Sequence, residues 1–320
     1  MILKLKAKKF ADLRGKSHKE WLELRSAGIG GSDVGAILGL NKWKSPLNVY
    51  LDKVEEPVEQ EENEKMYWGN VLEDVVAKEF QKRTGYKVQR SNFMWQHPEH
   101  EFMLANVDRF INIPGEGWGV LECKTASEYR KSDFQGETVD ESYLLQITHY
   151  MAVTGLKVGY LAVLAGGNEF NYWRIDRDEE LVQLVINEEK KFWFDHVQAG
   201  IPPELDGSDA STALLNILYP PVSVKDEEEI LHLDEKAAEL LAQYDTAKDL
   251  EAQYKEQKEE AANKLKNLIG DYQKAVWDER KISWKKIESY RFNRKAFEKE
   301  NPDVAEKYLE KSVSRRFSVT

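Results

Sequence analysis

Glu122 and Lys124 stand two residues apart at the end of the apolar run Val120-Leu121, and Asp108 closes a short hydrophobic stretch upstream. Side chains on a strand alternate between faces, so Glu122 and Lys124 project to the same side. The turn-forming segment Pro114-Gly115-Glu116-Gly117 returns the chain and sets Asp108 beside them. Two carboxylates meeting at one point repel unless a cation lies between them, and a hard divalent ion takes such oxygens. Asp108, Glu122 and the backbone carbonyl of Cys123 would hold Mg²⁺ or Mn²⁺. Glu73 would hold the same ion or a second one, directly or through water. The ion would lower the pKa of a bound water and neutralise charge on a scissile phosphate. Lys124 alongside would orient or deprotonate that water. The chemistry suits phosphodiester cleavage. E-x-K alone equally describes an exposed hairpin with a surface salt bridge; the preceding strand, the upstream carboxylate and Glu73 give it weight.

These side chains need a scaffold, and the pattern supplies one. Residues 18–53 read as mostly helical, broken by the turn Gly28-Ile29-Gly30-Gly31-Ser32-Asp33, where Ser32 or Asp33 caps the next helix. Residues 55–65 form an acidic, proline-containing loop. From Met66 to Thr84, Trp68, Val71, Leu72, Val75, Val76 and Phe80 recur at helical spacing, Glu73 flanks that stripe, and Gly85 ends it. Strand-like runs follow near 86–97, 102–113 and 118–124, then a helix over 140–154. Strands near 158–165 and 169–175 and a helix over 178–199 complete the set. This order predicts an α/β (α+β) fold, a mixed central sheet flanked by helices. Past Gly200-Ile201-Pro202-Pro203 the style changes. A short helix over 209–218, one long charged helix over 226–269 and a strand pair around 273–287 lead to a tail of Arg and Phe. The expected domains are 1–205 and a mainly helical extension, 206–320, for oligomerisation or partner docking.

Other candidates are less specific. Gln146 and His149 lie one turn apart on one face of the helix over 140–154. Both can be read as groups that orient water or phosphate, but a satisfied polar edge suits His149 better. Arg25 and Ser32 flank the glycine turn, where backbone N–H groups and a guanidinium fork would bind an anion such as a terminal phosphate. Taken by itself, that turn is better explained as an ordinary helix connection. The nine tryptophans are core or interface residues by default.

Composition sets outer bounds. The 320 residues suffice for one large or two ordinary domains. No segment approaches the roughly 18 uninterrupted apolar residues of a membrane span. The first residues lack the apolar centre of a secretion signal, and Cys123 has no intrachain partner, which points to a cytoplasmic protein. No zinc-site spacing is present. A net charge of −11 excludes a simple basic nucleic-acid coat but not a local basic surface.

Taken in order, six segments resemble the YqaJ-like viral recombinases, relatives of lambda exonuclease in the PD-(D/E)xK nuclease superfamily. They are Trp21-Leu22-Glu23-Leu24-Arg25, Gly28 to Asp33, Trp68-Gly69-Asn70-Val71-Leu72-Glu73, Ala105-Asn106-Val107-Asp108-Arg109, Leu121-Glu122-Cys123-Lys124-Thr125 and Gln146-Ile147-Thr148-His149-Tyr150. Val107 stands where the family has proline. The resemblance implies a restriction-endonuclease-like fold and a metal-dependent exonuclease that digests one strand of duplex DNA from its 5′ end. It implies a catalytic centre of Glu73, Asp108, Glu122, Lys124 and Gln146, and a 5′-phosphate pocket with Arg25 and Ser32. It further implies ring-shaped oligomers, trimers foremost, and work with a single-strand annealing protein. Two rivals share these residues: a structure- or site-specific endonuclease, and a non-catalytic module that binds DNA ends.

Overall fold

The computed structural model describes residues 3–57, 63–136, 138–221 and 229–319. The chain forms two compact units, Met1–Leu218 and Tyr219–Thr320. The first holds two sheets. β1 (Lys8–Asp12), β2 (Ile29–Gly30), β4 (Phe93–Gln96) and β5 (Met103–Ala105) form one, in the order β1-β4-β5-β2. β3 (Lys87–Arg90), β6 (Arg109–Ile113), β7 (Gly117–Ala126), β8 (Val158–Ala165) and β9 (Glu169–Asp176) form the other, in the order β3-β6-β7-β8-β9. Only β7 and β8 are parallel in the five-stranded sheet. A parallel pair needs a crossover, and α5 (Glu141–Thr154) supplies it. The fold is thus mixed α/β, as the sequence predicts.

Alternation along β7 decides what faces what. Leu121 and Cys123 join Val76, Ala77 and Phe80 of α4 (Glu64–Thr84) in a core on one face of the sheet. Val120 joins Ile147 and Met151 of α5 in the core on the other face. Glu122 and Lys124 follow Val120 at the strand period, so they point toward α5. Gly159 on β8 lets α5 come this close: an added Cβ would lie 2.2 Å from Ile147 Cγ2. No described helix is long and apolar enough to cross a membrane.

Several expected elements are drawn differently. The run 86–97 divides at Ser91-Asn92 into β3 and β4, and 102–113 divides at Asn106-Val107-Asp108 into β5 and β6; in each case the halves belong to different sheets. β1 and β2 carry no pattern of their own and were not expected; they are strands because β4 and β5 offer them partners. The stripe on α4 is buried only at its C-terminal end. Trp68, Val71 and Val75 are 51%, 44% and 49% exposed, whereas Val76, Ala77 and Phe80 are buried. Much of the acidic loop, 58–62, lies outside the described residues.

The first unit also contains α1 (His18–Ser26), α2 (Gly31–Ile37), α3 (Pro46–Val54), α6 (Glu179–Phe192), which continues as a π-helical turn over Trp193–Gln198, and α7 (Asp209–Leu218), packed on α3. The second unit is built on α8 (Lys236–Ile269). The long helix expected from 226 begins later: 229–235 are not helical, and 226–228 lie outside the described residues. β10 (Lys274–Trp277) and β11 (Arg280–Ser283) pair as expected, before α9 (Arg294–Glu300) and α10 (Pro302–Lys307).

Replacing Gly159 by alanine is expected to overpack the seam between β8 and α5. Thermal or urea denaturation should show a loss of about 1–3 kcal/mol.

Candidate active site

Eight residues singled out from the sequence line one cavity of about 810 Å³: Arg25, Ser32, Glu73, Asp108, Glu122, Cys123, Lys124 and Gln146; His149 does not. The hairpin of β6 and β7, with Arg109 opposite Leu121, brings Asp108 back to β7. There Asp108 Oδ2 accepts the Cys123 backbone N–H at 3.0 Å. Lys124 Nζ lies 2.5 Å from Glu122 Oε1. Gln146 Nε2 reaches down from α5 to the same oxygen at 2.6 Å. Glu122 is only 2% exposed, yet among the described residues its Oε2 has no hydrogen-bond partner.

The charges explain each other. Burial, reinforced by the Glu122 charge, pushes the Asp108 carboxyl up to about 7. Burial alone would lower Lys124, but Glu122 and Asp108 outweigh it and raise its pKa. Lys124 therefore keeps its proton at neutral pH, which suits holding and orienting a water or phosphate oxygen better than removing a proton. Burial, together with the Asp108 charge, raises Glu73.

Glu73 does not complete a three-carboxylate cluster. Its Oε1 accepts from Arg109 Nη1 at 2.6 Å, and Asp74 takes the other arm of the same guanidinium. Among the described residues no three His, Cys, Asp or Glu side chains are gathered as a metal cluster. What remains is the pair Asp108 and Glu122, with a buried oxygen lacking a donor and a carboxyl strained upward by its neighbour. Such a pair fits a hard cation, which would satisfy the orphaned oxygen and relieve the repulsion.

A second set forms the cavity wall. Arg25 Nη2 donates to Ser32 Oγ at 2.9 Å, and the guanidinium lies over Trp21 with 4.8 Å to the ring centroid. Asp33, fully buried, accepts from Lys44 at 2.8 Å and Lys53 at 2.9 Å and lies 3.4 Å from Arg25 Nη2. Lys53 also donates to the Arg25 carbonyl at 3.1 Å. Burial would raise Asp33, but Lys44, Lys53 and Arg25 prevail and hold it well below the usual carboxylate range. Ser32 does not cap α2, since its hydroxyl is given to Arg25. Gly30 is the capping residue, and Asp33 reaches back to its N–H at 3.1 Å. Gly31 permits α2 to start against α5, for a Cβ there would meet Tyr150 Cε1 at 2.7 Å.

Gln146 and His149 do not share a destination. Gln146 goes to Glu122, while His149, fully buried, lies 2.7 Å from Glu189 and 2.9 Å from the Leu104 carbonyl. Burial would lower His149, but Glu189 raises it. It ties α5 to α6 and β5. Tyr150, whose hydroxyl accepts from Gln146 at 2.9 Å, was missed as a site residue although its i+4 spacing from Gln146 was visible. Lys44, Lys53 and Arg109 join the site through long-range pairing, for which no local signal exists.

Residues 20–157 match the YqaJ-like viral recombinase domain. Over 306 residues the chain is 39% identical to the uncharacterized protein YqaJ of Bacillus subtilis (strain 168), spanning 95% of this chain and 94% of that one. The chain belongs to the YqaJ-like viral recombinase family. It is also 26% identical over 157 residues to the uncharacterized protein R354 of Acanthamoeba polyphaga mimivirus, which is 46% of this chain and 28% of that one. Its fold is similar to the crystal structure of the alkaline exonuclease LHK-Exo from Laribacter hongkongensis, with a TM-score of 0.49 and 21% identity over 57% of this chain and 94% of that one.

Asp33→Asn leaves Lys53 buried without its anion and is expected to lose about 3–5 kcal/mol of stability at pH 7. Because the folded pKa is depressed, the ionised carboxylate stabilises above the unfolded value of about 3.9 and loses that contribution as pH falls further. Denaturation across pH should show a constant gap between parent and variant from about pH 5 to 8, closing below about pH 4.

Proposed function

We propose that this chain is a metal-dependent exodeoxyribonuclease that degrades one strand of duplex DNA from a 5′ end and leaves a 3′ single strand. One observation carries the reading. Half-buried Asp108 and buried Glu122, with the Lys124 ammonium and the Gln146 amide, lie in the same open cavity as Arg25 and Ser32. Asp108, Glu122 and the carbonyl of Cys123 are the groups that would hold Mg²⁺ or Mn²⁺, with Glu73 in reserve behind Arg109. When bound, the ion supplies an acidified water and neutralises charge on the scissile phosphate. Lys124 holds the attacking water or a phosphate oxygen by a charged hydrogen bond. Gln146 fixes the Glu122 carboxylate and is itself steadied by Tyr150. Arg25, braced by Trp21, Ser32 and Asp33, offers its remaining donors to a terminal phosphate.

Membership of a family described as viral recombinases supports a role in preparing DNA ends for annealing. The protein would then act in the cytoplasm on double-stranded ends, beside a single-strand annealing protein. A homo-oligomeric ring, foremost a trimer, would enclose DNA and make cutting processive. Residues 206–320 are proposed to serve assembly or partner docking.

The test is digestion of linear 5′-phosphorylated duplex, 5′-hydroxyl duplex and closed circular DNA, with and without EDTA. Mononucleotides released from the phosphorylated linear duplex, and abolished by EDTA, are expected. Cuts in the closed circle, or cleavage indifferent to EDTA, would contradict the reading. Lys124→Ala should keep DNA binding and lose cleavage by about 10²–10³-fold.

A further inference from the structure

A second cavity, of about 440 Å³, lies beside the first among β1, β3 and β4. Its wall includes Lys9, Lys87 and Arg90 together with the neutral donors Gln89, Ser91 and Asn92, and no Asp or Glu lines it. The lining is thus cationic although the chain as a whole carries a net charge of −11. The contrast is local. On the same edge Lys8 pairs with Glu101 and Arg14 with Asp12, whereas no carboxylate among the described residues lies within ion-pair distance of Lys9, Lys87 or Arg90. Lys9 is nonetheless held in place, its ammonium 4.0 Å from the centroid of the Phe93 ring.

Arg90 is the joint between the two cavities, for it lines both. From Lys87 to Arg90 the strand runs about 10 Å, with Lys87 and Gln89 on one face and Arg90, at the strand end, on the other. A nucleic-acid strand places phosphates roughly 3.4 Å apart along its axis, so the distance from Lys87 to Arg90 spans more than one of them. We propose that this cavity is a track for the phosphodiester backbone of DNA leading to or from the catalytic cavity, with Arg90 taking the phosphate at the junction and Lys87 and Lys9 those beyond. The inference rests on the nuclease reading above and adds a binding subsite to it.

All three cations are exposed, so their replacement should not disturb the fold. The test is fluorescence anisotropy in EDTA over a range of salt. It uses the parent, the double variant Lys9→Gln/Lys87→Gln, and Lys190→Gln/Lys191→Gln on α6 as a control of equal charge change. Labelled probes are a single strand, a blunt duplex and a duplex with a 3′ overhang. The track variant is expected to bind at least one probe about tenfold more weakly, with the slope of log affinity against log salt reduced by about 1–2. The control should match the parent, and Lys9→Arg/Lys87→Arg should restore binding. The probe that responds, strand or duplex, names the occupant. A track variant indistinguishable from a parent that binds DNA, or a control that weakens binding as much, overturns the track and leaves the nuclease reading standing. A parent that binds none of the probes overturns both.

Discussion

The burial of Glu122 next to Asp108 is the constraint around which this fold is arranged. Two carboxylates taken out of water repel one another and lose hydration, a combination that a protein tolerates only with compensation. Here the compensation is partial. Lys124 and Gln146 both hold Glu122 Oε1, and the Cys123 N–H holds Asp108, but Glu122 Oε2 has no partner among the described residues. The upward push on Asp108, from burial and from the Glu122 charge, is the measure of what is left over. A site left in that condition is suited to a cation.

The rest of the first unit can be understood as what it takes to bring these groups together. The β6–β7 hairpin sets Asp108 against β7, strand alternation turns Glu122 and Lys124 toward α5, and Gly159 lets α5 lie low enough for Gln146 to reach Glu122. Gly31 allows α2 to start against the same helix, which sets Ser32 and Asp33 beside Arg25 of α1. Asp33 is the second electrostatic centre. Three cations converge on it; Lys44 is shared with Asp52, the side chain of Lys53 is buried, and Arg25 is the one that reaches the cavity wall. The proposed cation site and the proposed terminal-phosphate site would then lie in one cavity, at its carboxylate pair and at Arg25.

What was legible in the sequence is what depends on local period. The alternation of Val120, Glu122 and Lys124, the hairpin turn after Ile113, and the helix bearing Gln146 all follow from spacing of two, a turn, or spacing near 3.6. The division of 86–97 and 102–113 between two sheets was not legible, because each run is continuously strand-like and only partners distant in sequence separate the halves. The stripe on α4 misleads in a similar way: Trp68, Val71 and Val75 have the period of a buried face but are exposed, and only Val76, Ala77 and Phe80 pack into the core. His149 illustrates the limit on side chains. Its helical position suggested the company of Gln146, while its partner Glu189 lies forty residues on.

The central claim, that Asp108 and Glu122 form one cation site, is tested most directly by calorimetric titration of Mn²⁺ into the parent and Glu122→Gln in buffers of different ionisation enthalpy. The account predicts binding to the parent with proton release near pH 7, as Asp108, whose carboxyl burial and the Glu122 charge push up to about 7, gives up its proton, and affinity reduced at least about tenfold in the variant. Equal affinity in parent and variant, or no binding to the parent, would contradict it.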